Sequence, residues 1–377
     1  MVIRLSNIDV KNNYSETIPL LSVVMPVHNP HQYLTICLDS VLQQTFYDYE
    51  LIAIDDASTD NSYNILMEYA KNDHRLKVLH NEKSIGAAST RNRGLHEASG
   101  KYIIFLDADD YFELDYFEQM MLRITSADAD VALCPILVRD ELDKTEEAKP
   151  KDYKKLVEFF KTPFHASDYN NKIFYVMPYA PFNKVIRRDM LIEEKIEFQD
   201  LKNSNDLYFG IMSIAVAKSI VYLPKPYIHY RYNTGTQIST NRHKEPMCRC
   251  YAFQKIYKEL IKRCLWDKFS KMYHDLAVST VFYAIRESNE YERVMEFIKK
   301  NDGDNLGILN LKRDDFLLMS SYARYRILFY GNHAMLGNIS DIIFFFIKTF
   351  MRGELSVLYC LAGRCVESGI KKFKDNK

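Results

Sequence analysis

The stretch Tyr102-Ile-Ile-Phe-Leu-Asp-Ala-Asp-Asp110 decides how the chain is read: five apolar residues in a row, then three carboxylates within four positions. A continuous apolar run of that length, closed by polar residues, suits a strand buried on both faces. The same grammar recurs upstream. Leu21-Ser-Val-Val-Met25 reads as a strand, and His31–Gln44 as a helix with Leu34, Leu38, Val41 and Leu42 on one face. Leu51-Ile-Ala-Ile54 is a second buried strand, followed by a helix opened by Asp60 or Asn61. Leu76–Leu79 is a short third strand, and Gly86–Ala98 a third helix. Strands alternating with helices imply right-handed crossovers and a mostly parallel sheet covered on both faces, an α/β class.

In such a sheet ligands bind at the carboxyl ends of the strands. Strand one ends in Pro26-Val-His-Asn29, strand two in Asp55-Asp56-Ala-Ser58, strand four in Asp107-Ala-Asp-Asp110. Paired carboxylates repel and are costly to desolvate, so two pairs at neighbouring strand ends point to a cation or to proton chemistry. Capping of the following helices by Asp55 and Asp107 is the plainer alternative. Asp107 and Asp109, one residue apart on extended backbone, share a side; two hard oxygen donors suit Mg²⁺ or Mn²⁺ holding a diphosphate.

Other sites fail on spacing. An EF-hand loop would need glycine where Phe112 stands, and a ligand where Tyr111 stands. A phosphatase-type aspartyl nucleophile belongs after the first strand, not the fourth. The turn after strand one is Met-Pro-Val-His-Asn-Pro, not Gly-x-Gly-x-x-Gly, and no Walker A loop occurs. Cys248, Cys250, Cys264 and His243 match no usual zinc spacing, so the seven cysteines read as isolated thiols.

Taken in order, Leu21-Ser-Val-Val-Met-Pro-Val-His-Asn29, Ser40-Val-Leu-Gln-Gln-Thr45, Ile54-Asp-Asp-Ala-Ser-Thr-Asp60, Gly86…Arg91-Asn-Arg-Gly94 and Phe105-Leu-Asp-Ala-Asp-Asp110 resemble the family 2 glycosyltransferases of bacterial surface-polysaccharide synthesis. The resemblance continues more loosely to Ser239. It implies a GT-A fold, Rossmann-like, and inverting transfer of a sugar from a UDP-sugar to a hydroxyl of a glycan, which could be lipid-linked. Residue by residue it implies that Pro26, His28 and Asn29 border the nucleotide and that Asp56 bonds the uracil. Arg91 would fix the nucleotide or its phosphates, Asp107 would face the ribose and metal, and Asp109 would bind the metal, Mn²⁺ or Mg²⁺. His28 stands where Tyr is commoner, and Ala57 where Gly is commoner.

The family's base matches Asp206 in Asn205-Asp206-Leu-Tyr-Phe209, with Asn205 in place of the usual acid; a helix N-cap is the alternative. Pro181-Phe-Asn-Lys184 precedes it, and Asn183 and Lys184 read as acceptor-side or structural residues. Arg231 and His229, in Pro226-Tyr-Ile-His-Tyr-Arg231, would meet the diphosphate, with packing in an aromatic rim the alternative for His229. The other readings are a catalytically silent homologue acting as a binding or scaffolding subunit, and a nucleotidyltransferase, which the missing Gly-rich loop disfavours.

The remaining sequence sets the layout: an extension at 1–19, a catalytic domain at 20–240 (nucleotide-sugar half 20–135, acceptor half 136–240) and a helical domain at 241–377. Asp140 to Tyr153 is rich in Lys and Glu and reads as a solvated loop or short insertion. Tyr251–Trp266, Tyr273–Ser288, Tyr291–Lys300 and Asp314–Phe329 read as helices. The chain has 377 residues, 47% hydrophobic, with 50 Lys and Arg against 50 Asp and Glu, which excludes a disordered chain and disfavours a nucleic-acid partner. That zero hides an asymmetry, for Tyr251 onward carries 21 basic residues against 15 acidic ones. Ile339–Arg352 would place Ile342, Ile343, Phe346, Ile347, Phe350 and Met351 on one helical face beside Lys348 and Arg352. That face suits packing within the tail or against a second subunit, or else a membrane surface. With no apolar h-region at the start and no long apolar run, the expectation is a cytoplasmic protein, with peripheral membrane contact left open.

Overall fold

The computed structural model describes residues 18–150, 153–177, 179–234, 244–245, 247–287, 305–306 and 311–312. The chain divides into two compact units, Met1–Asn241 and Arg242–Lys377.

In the first unit the order is β1 (Leu21–Val27), α1 (His31–Leu42), β2 (Tyr49–Asp55), α2 (Ser62–Asn72), β3 (Leu76–His80), α3 (Gly86–Glu97) and β4 (Tyr102–Phe105). Then come β5 (Tyr111–Phe112), α4 (Tyr116–Ser126), β6 (Val131–Leu133), β7 (Ile136–Asp140), β8 (Glu146–Lys149), α5 (Tyr153–Phe159) and α6 (Ile173–Val176). The unit closes with β9 (Lys184–Arg187), α7 (Arg188–Glu193), α8 (Asp206–Val216), β10 (Ile220–Tyr222) and β11 (Ile228–Tyr232). A seven-stranded sheet has the order β10-β6-β9-β4-β1-β2-β3. Its pairs are parallel except those of β9, which runs antiparallel to both β4 and β6. The expected α/β sheet is there, with one reversed strand inserted.

Both faces are covered, which is why the strands read as unbroken apolar runs. Val23 and Met25 of β1 join Leu34, Leu38 and Val41 of α1 and Met120 and Ile124 of α4 in one cluster. On the other face α3 lies directly on β1 and β2 at Gly94, where a Cβ would collide with Val24 and come within 2.9 Å of Ile54 Cδ1. Because β4, β1 and β2 are neighbours and parallel, their carboxyl ends lie side by side, and the three polar loops the sequence singled out meet there.

A second sheet, β5-β11-β7-β8, begins immediately after the Asp107–Asp110 stretch and pairs Tyr111 with His229. Here the structure corrects the sequence reading. The charged segment expected as a loop contributes β8, antiparallel to β7 with Arg139 opposite Glu146. β8 is an edge strand, where charge is solvated and guards against further pairing. Asp140 Oδ1 and Asp143 Oδ1 accept from the main-chain N–H groups of Leu142 and Thr145, closing the turn between the strands.

The second unit holds α9 (Cys248–Lys262), α10 (Trp266–Glu287) and a strand pair, β12 (Asn305–Leu306) with β13 (Leu311–Lys312). The first tail helix starts before the expected Tyr251 and stops at Lys262, ahead of Cys264 at φ 55°. The second begins at Trp266, seven residues before the expected Tyr273. Trp266 meets Tyr257 edge-on at 5.1 Å and Tyr273 at 5.5 Å, an aromatic hinge between the helices. The expected helices at Tyr291–Lys300, Asp314–Phe329 and Ile339–Arg352 lie outside the described residues. No helix among the described residues is long and apolar enough to cross a membrane.

Candidate active site

The loop after β1 is pinned to the loop after β2. Asn29, at φ 59°, accepts from Thr59 N (2.7 Å) and Asp60 N (3.3 Å) through Oδ1, and its own N–H donates to Ser58 Oγ (3.1 Å). The positive φ suits Asn, whose short polar side chain tolerates that region. His28 is exposed, with Nδ1 2.8 Å from Asp56 O, and Pro26 is half-buried beside it.

Asp56 is buried and its carboxylate is saturated by the chain. Oδ1 accepts from Asn81 Nδ2 (2.7 Å) and Ile85 N (2.8 Å), and Oδ2 from Ser84 Oγ (2.7 Å) and Gly86 N (2.9 Å). Burial works against its charge, but the bonds from Ile85, Asn81, Ser84 and Gly86 outweigh it and hold the carboxyl below the usual range. Asp56 thus serves the N-terminus of α3, where two main-chain donors and the helix dipole favour an anion. Asp55 instead accepts from Ser58 N (3.2 Å) and meets His80 Nδ1 at 2.9 Å.

The loop after β4 is the opposite case. Asp109 has its carboxyl pushed up to about 6, first by burial and then by the charge of Asp107, with Arg231 and Arg91 offsetting only part. Asp110, fully buried, lies well above the usual carboxylate range for the same reasons, burial first and then Asp109 and Asp107. Its Oδ1 accepts from Arg231 N at 2.9 Å, while Oδ2 has no hydrogen-bond partner. Asp107 Oδ1 takes Arg91 Nη2 at 2.6 Å. The strand end therefore crowds three carboxyls whose mutual repulsion Arg231 and Arg91 offset only in part.

Two residues expected near a diphosphate are used inside the chain. Arg231 is buried, donates from Nη1 to Asp109 O (2.6 Å), and lies over the rings of Tyr111 (4.6 Å) and Tyr33 (5.1 Å). It braces the loop from behind. His229 is stacked on Tyr111 at 4.3 Å and held between Glu146 Oε1 (2.8 Å) and Glu113 Oε1 (2.9 Å). The aromatic-rim reading holds for His229.

Asp206 opens α8 as its first helical residue; Asn205 occupies the N-cap position and makes no side-chain cap bond, so Asp206 is not the cap. Asn205 reaches the strand-end site through Arg91, whose Nη1 donates to its Oδ1 at 3.4 Å while Nη2 holds Asp107. Lys184, fully buried on β9, donates to Asn183 Oδ1 at 2.7 Å. Burial drives its ammonium down to about 7, opposed by the negative charge of Asp206. Sequence reasoning left Lys184 between two roles; a lysine in an apolar run after Pro181-Phe-Asn was the available signal.

Among the described residues no cluster of three or more His, Cys, Asp or Glu side chains could cage a metal. A magnesium-like ion held by one or two carboxylates and a substrate's phosphates needs no such cage. Asp109 and Asp107 fit that mode as hard oxygen donors at one strand end. Of the cysteine grouping, Cys248 and Cys250 are buried along α9 and Cys264 is exposed, while His243 lies outside the described residues.

A largely parallel sheet with one reversed strand, carrying acidic loops at adjacent carboxyl ends, is a GT-A fold. Residues 22–194 match the family model described as Glycosyl transferase family 2. It is 30% identical over 238 residues to EpsH of Bacillus subtilis, named as a glycosyltransferase, covering 60% of this chain and 64% of that protein. It is 39% identical over 124 residues to glycosyltransferase GlyG of Streptococcus pneumoniae serotype 4, covering 33% of this chain and 41% of that one. The matches thus span less than two thirds of either relative. Among solved structures the fold is similar to TarS of S. aureus in complex with UDP-GlcNAc, at a TM-score of 0.60 and 22% identity, over 82% of this chain and 88% of that one.

Proposed function

We propose that the protein is an inverting glycosyltransferase that moves a sugar from a UDP-sugar to a hydroxyl of a glycan acceptor in surface-polysaccharide synthesis. The observation that carries this reading is Arg91: one guanidinium touches both Asp107 at the end of β4 and Asn205 at the start of α8. That contact supports a site in which the carboxylates at the end of β4 and Asp206 at the start of α8 act together. The UDP-GlcNAc complex of TarS and the polysaccharide context of relatives such as TuaG of Bacillus subtilis, named for teichuronic acid biosynthesis, support the donor and the pathway class.

Asp109, with Asp107 beside it, would hold Mn²⁺ or Mg²⁺; when bound, the ion supplies positive charge against the departing diphosphate. Asp206 accepts the proton of the acceptor hydroxyl as that oxygen bonds to the anomeric carbon. The bond from that carbon to the diphosphate oxygen breaks, its electron pair leaves with UDP, and attack from the opposite face inverts the centre. Pro26, His28 and Asn29 border the nucleotide. For Asp56 to take the uracil N–H, one of its four present donors must give way. Arg231 serves by fixing the main chain at Asp109.

UDP release from a panel of UDP-sugars with Mn²⁺, with Mg²⁺ and with a chelator tests the reading. Turnover should need the metal and vanish in Asp109→Ala and Asp206→Asn. Absence of turnover with every donor and a broad acceptor set would instead indicate the silent-subunit alternative.

A further inference from the structure

Between α7 and α8 the chain runs from Ile196 to Asn205 with no regular secondary structure. Backbone without a ladder needs other partners for its polar groups, and α3 supplies them. Asn92 pairs twice with the main chain of Phe198: its Nδ2 donates to Phe198 O at 2.9 Å, and Phe198 N donates to its Oδ1 at 2.8 Å. One turn along, His96 Nε2 meets Glu197 Oε1 at 2.9 Å. One residue before, Arg91 reaches Asn205 while holding Asp107.

These ties fix the Phe198 ring as well as its backbone. It stacks on Phe209 of α8 at 4.0 Å and 10°, meets Phe105 of β4 edge-on at 4.9 Å, and lies under the Arg91 guanidinium at 5.3 Å. The contacts run from α3 through Phe198 to both the strand that delivers Asp107 and the helix that begins at Asp206.

We infer that Asn92 is a positioning residue for the transfer: with Arg91 beside it, it forms a strut from α3 that holds the start of α8, and so Asp206, at a set distance from Asp107. This rests on the function proposed above, since the distance matters only if Asp206 serves as the base. A side-chain amide is suited to the task because it offers a donor and an acceptor to one residue's N–H and C=O at once. Asp supplies only the acceptor, and an apolar residue neither. Asn92 touches no reacting atom; it acts through Phe198, as Arg91 acts through Asn205.

The test is Asn92→Ala in the full chain, read by hydrogen exchange, by UDP binding in the presence of Mn²⁺, and by UDP release. Exchange across 197–206 should quicken about tenfold or more while β1 and β4 keep their protection, as expected when one segment loses its tether. UDP affinity should stay within about twofold, whereas kcat falls roughly 30–100-fold with little change in KM for the donor, because a base displaced by about an ångström costs on that order. Unchanged exchange at 197–206 overturns the proposal. So does a fall in UDP affinity parallel to that in kcat, which would mark general loss of the site. Should Asn92→Ala not fold, Asn92→Asp keeps the acceptor for Phe198 N and loses the donor to Phe198 O. It should give intermediate exchange and kcat, and wild-type values in both would equally overturn the strut. If the wild-type chain transfers no sugar at all, the function reading fails, while the exchange measurement still decides whether the strut exists.

Discussion

Asp56 and Asp109 follow the two strands that flank β1 in one sheet, yet the chain treats them in opposite ways. Asp56 receives four donors and is held below the usual carboxylate range. Asp109, buried and beside the like charge of Asp107, rises to about 6. Residue type and topological place are the same, so partners make the difference. A carboxylate the chain satisfies becomes part of the scaffold; one it leaves short of positive charge is kept for something that comes from outside.

The largest test of that contrast is catalytic. Asp109→Asn should lower UDP release by about 10²–10³-fold, as removal of one preorganised charge at a transition state does, measured at saturating Mn²⁺. A residual rate near wild type would place the metal elsewhere. The same variant should make the metal-free protein more stable at neutral pH. A raised acid binds its proton more tightly folded than unfolded, so the stability it contributes is lost as pH rises from about 4 through 6. From 3.8 to about 6, at about 1.4 kcal/mol per tenfold change in proton affinity, the gain is ~3 kcal/mol at most. Urea unfolding at pH 7 should show it, and the difference should shrink by pH 4.

Asp56 should behave in reverse. Its lowered acid contributes stability that is present at neutral pH and lost as pH falls through its folded-state value. Asp56→Asn should therefore cost about 1–3 kcal/mol at pH 7, the range for leaving buried donors unmatched, with faster hydrogen exchange at the first turn of α3. If Asp56→Asn is neutral, its four bonds do not hold that helix end. The smallest effect concerns the ligand. Mn²⁺ with UDP at ten times its dissociation constant should stabilise the wild type by about 1.4 kcal/mol, a few degrees in Tm. Asp109→Asn should lose that shift and Asp56→Asn should keep most of it.

Much of this was legible in the sequence, and the legible part has a physical cause. Strands buried on both faces are unbroken apolar runs, so Leu21–Met25, Leu51–Ile54 and Tyr102–Leu106 announced the sheet, and the polar residues after them announced its binding edge. β9 was not legible. It is four residues long, starts on a lysine and ends on an arginine, and gains its place from β4 and β6 on either side. The charged β8 was read as a loop because its pattern reflects an edge and its solvent rather than a core. Within the site, the acidic residues stood out by spacing, but their partners did not: Asp107 with Arg91, and Asp56 with Asn81 and Ser84, are pairs with no periodic signature. One clue existed. Arg91 shares a buried helical face with Ala88 and Leu95, a place where charge is kept only when it has something to hold.

Gly94 sets the scale for all of this. With no Cβ in the way, α3 rests against Val24 and Ile54 more closely than any side chain permits, and Arg91 and Asn92 sit less than one turn before it. The helix is a gauge block, and the gap it fills determines how far those two residues reach. A single methyl group at position 94 would leave every polar residue of the site intact in identity while shifting both by a fraction of an ångström. The proposed chemistry is therefore open to failure from a position that carries no chemistry.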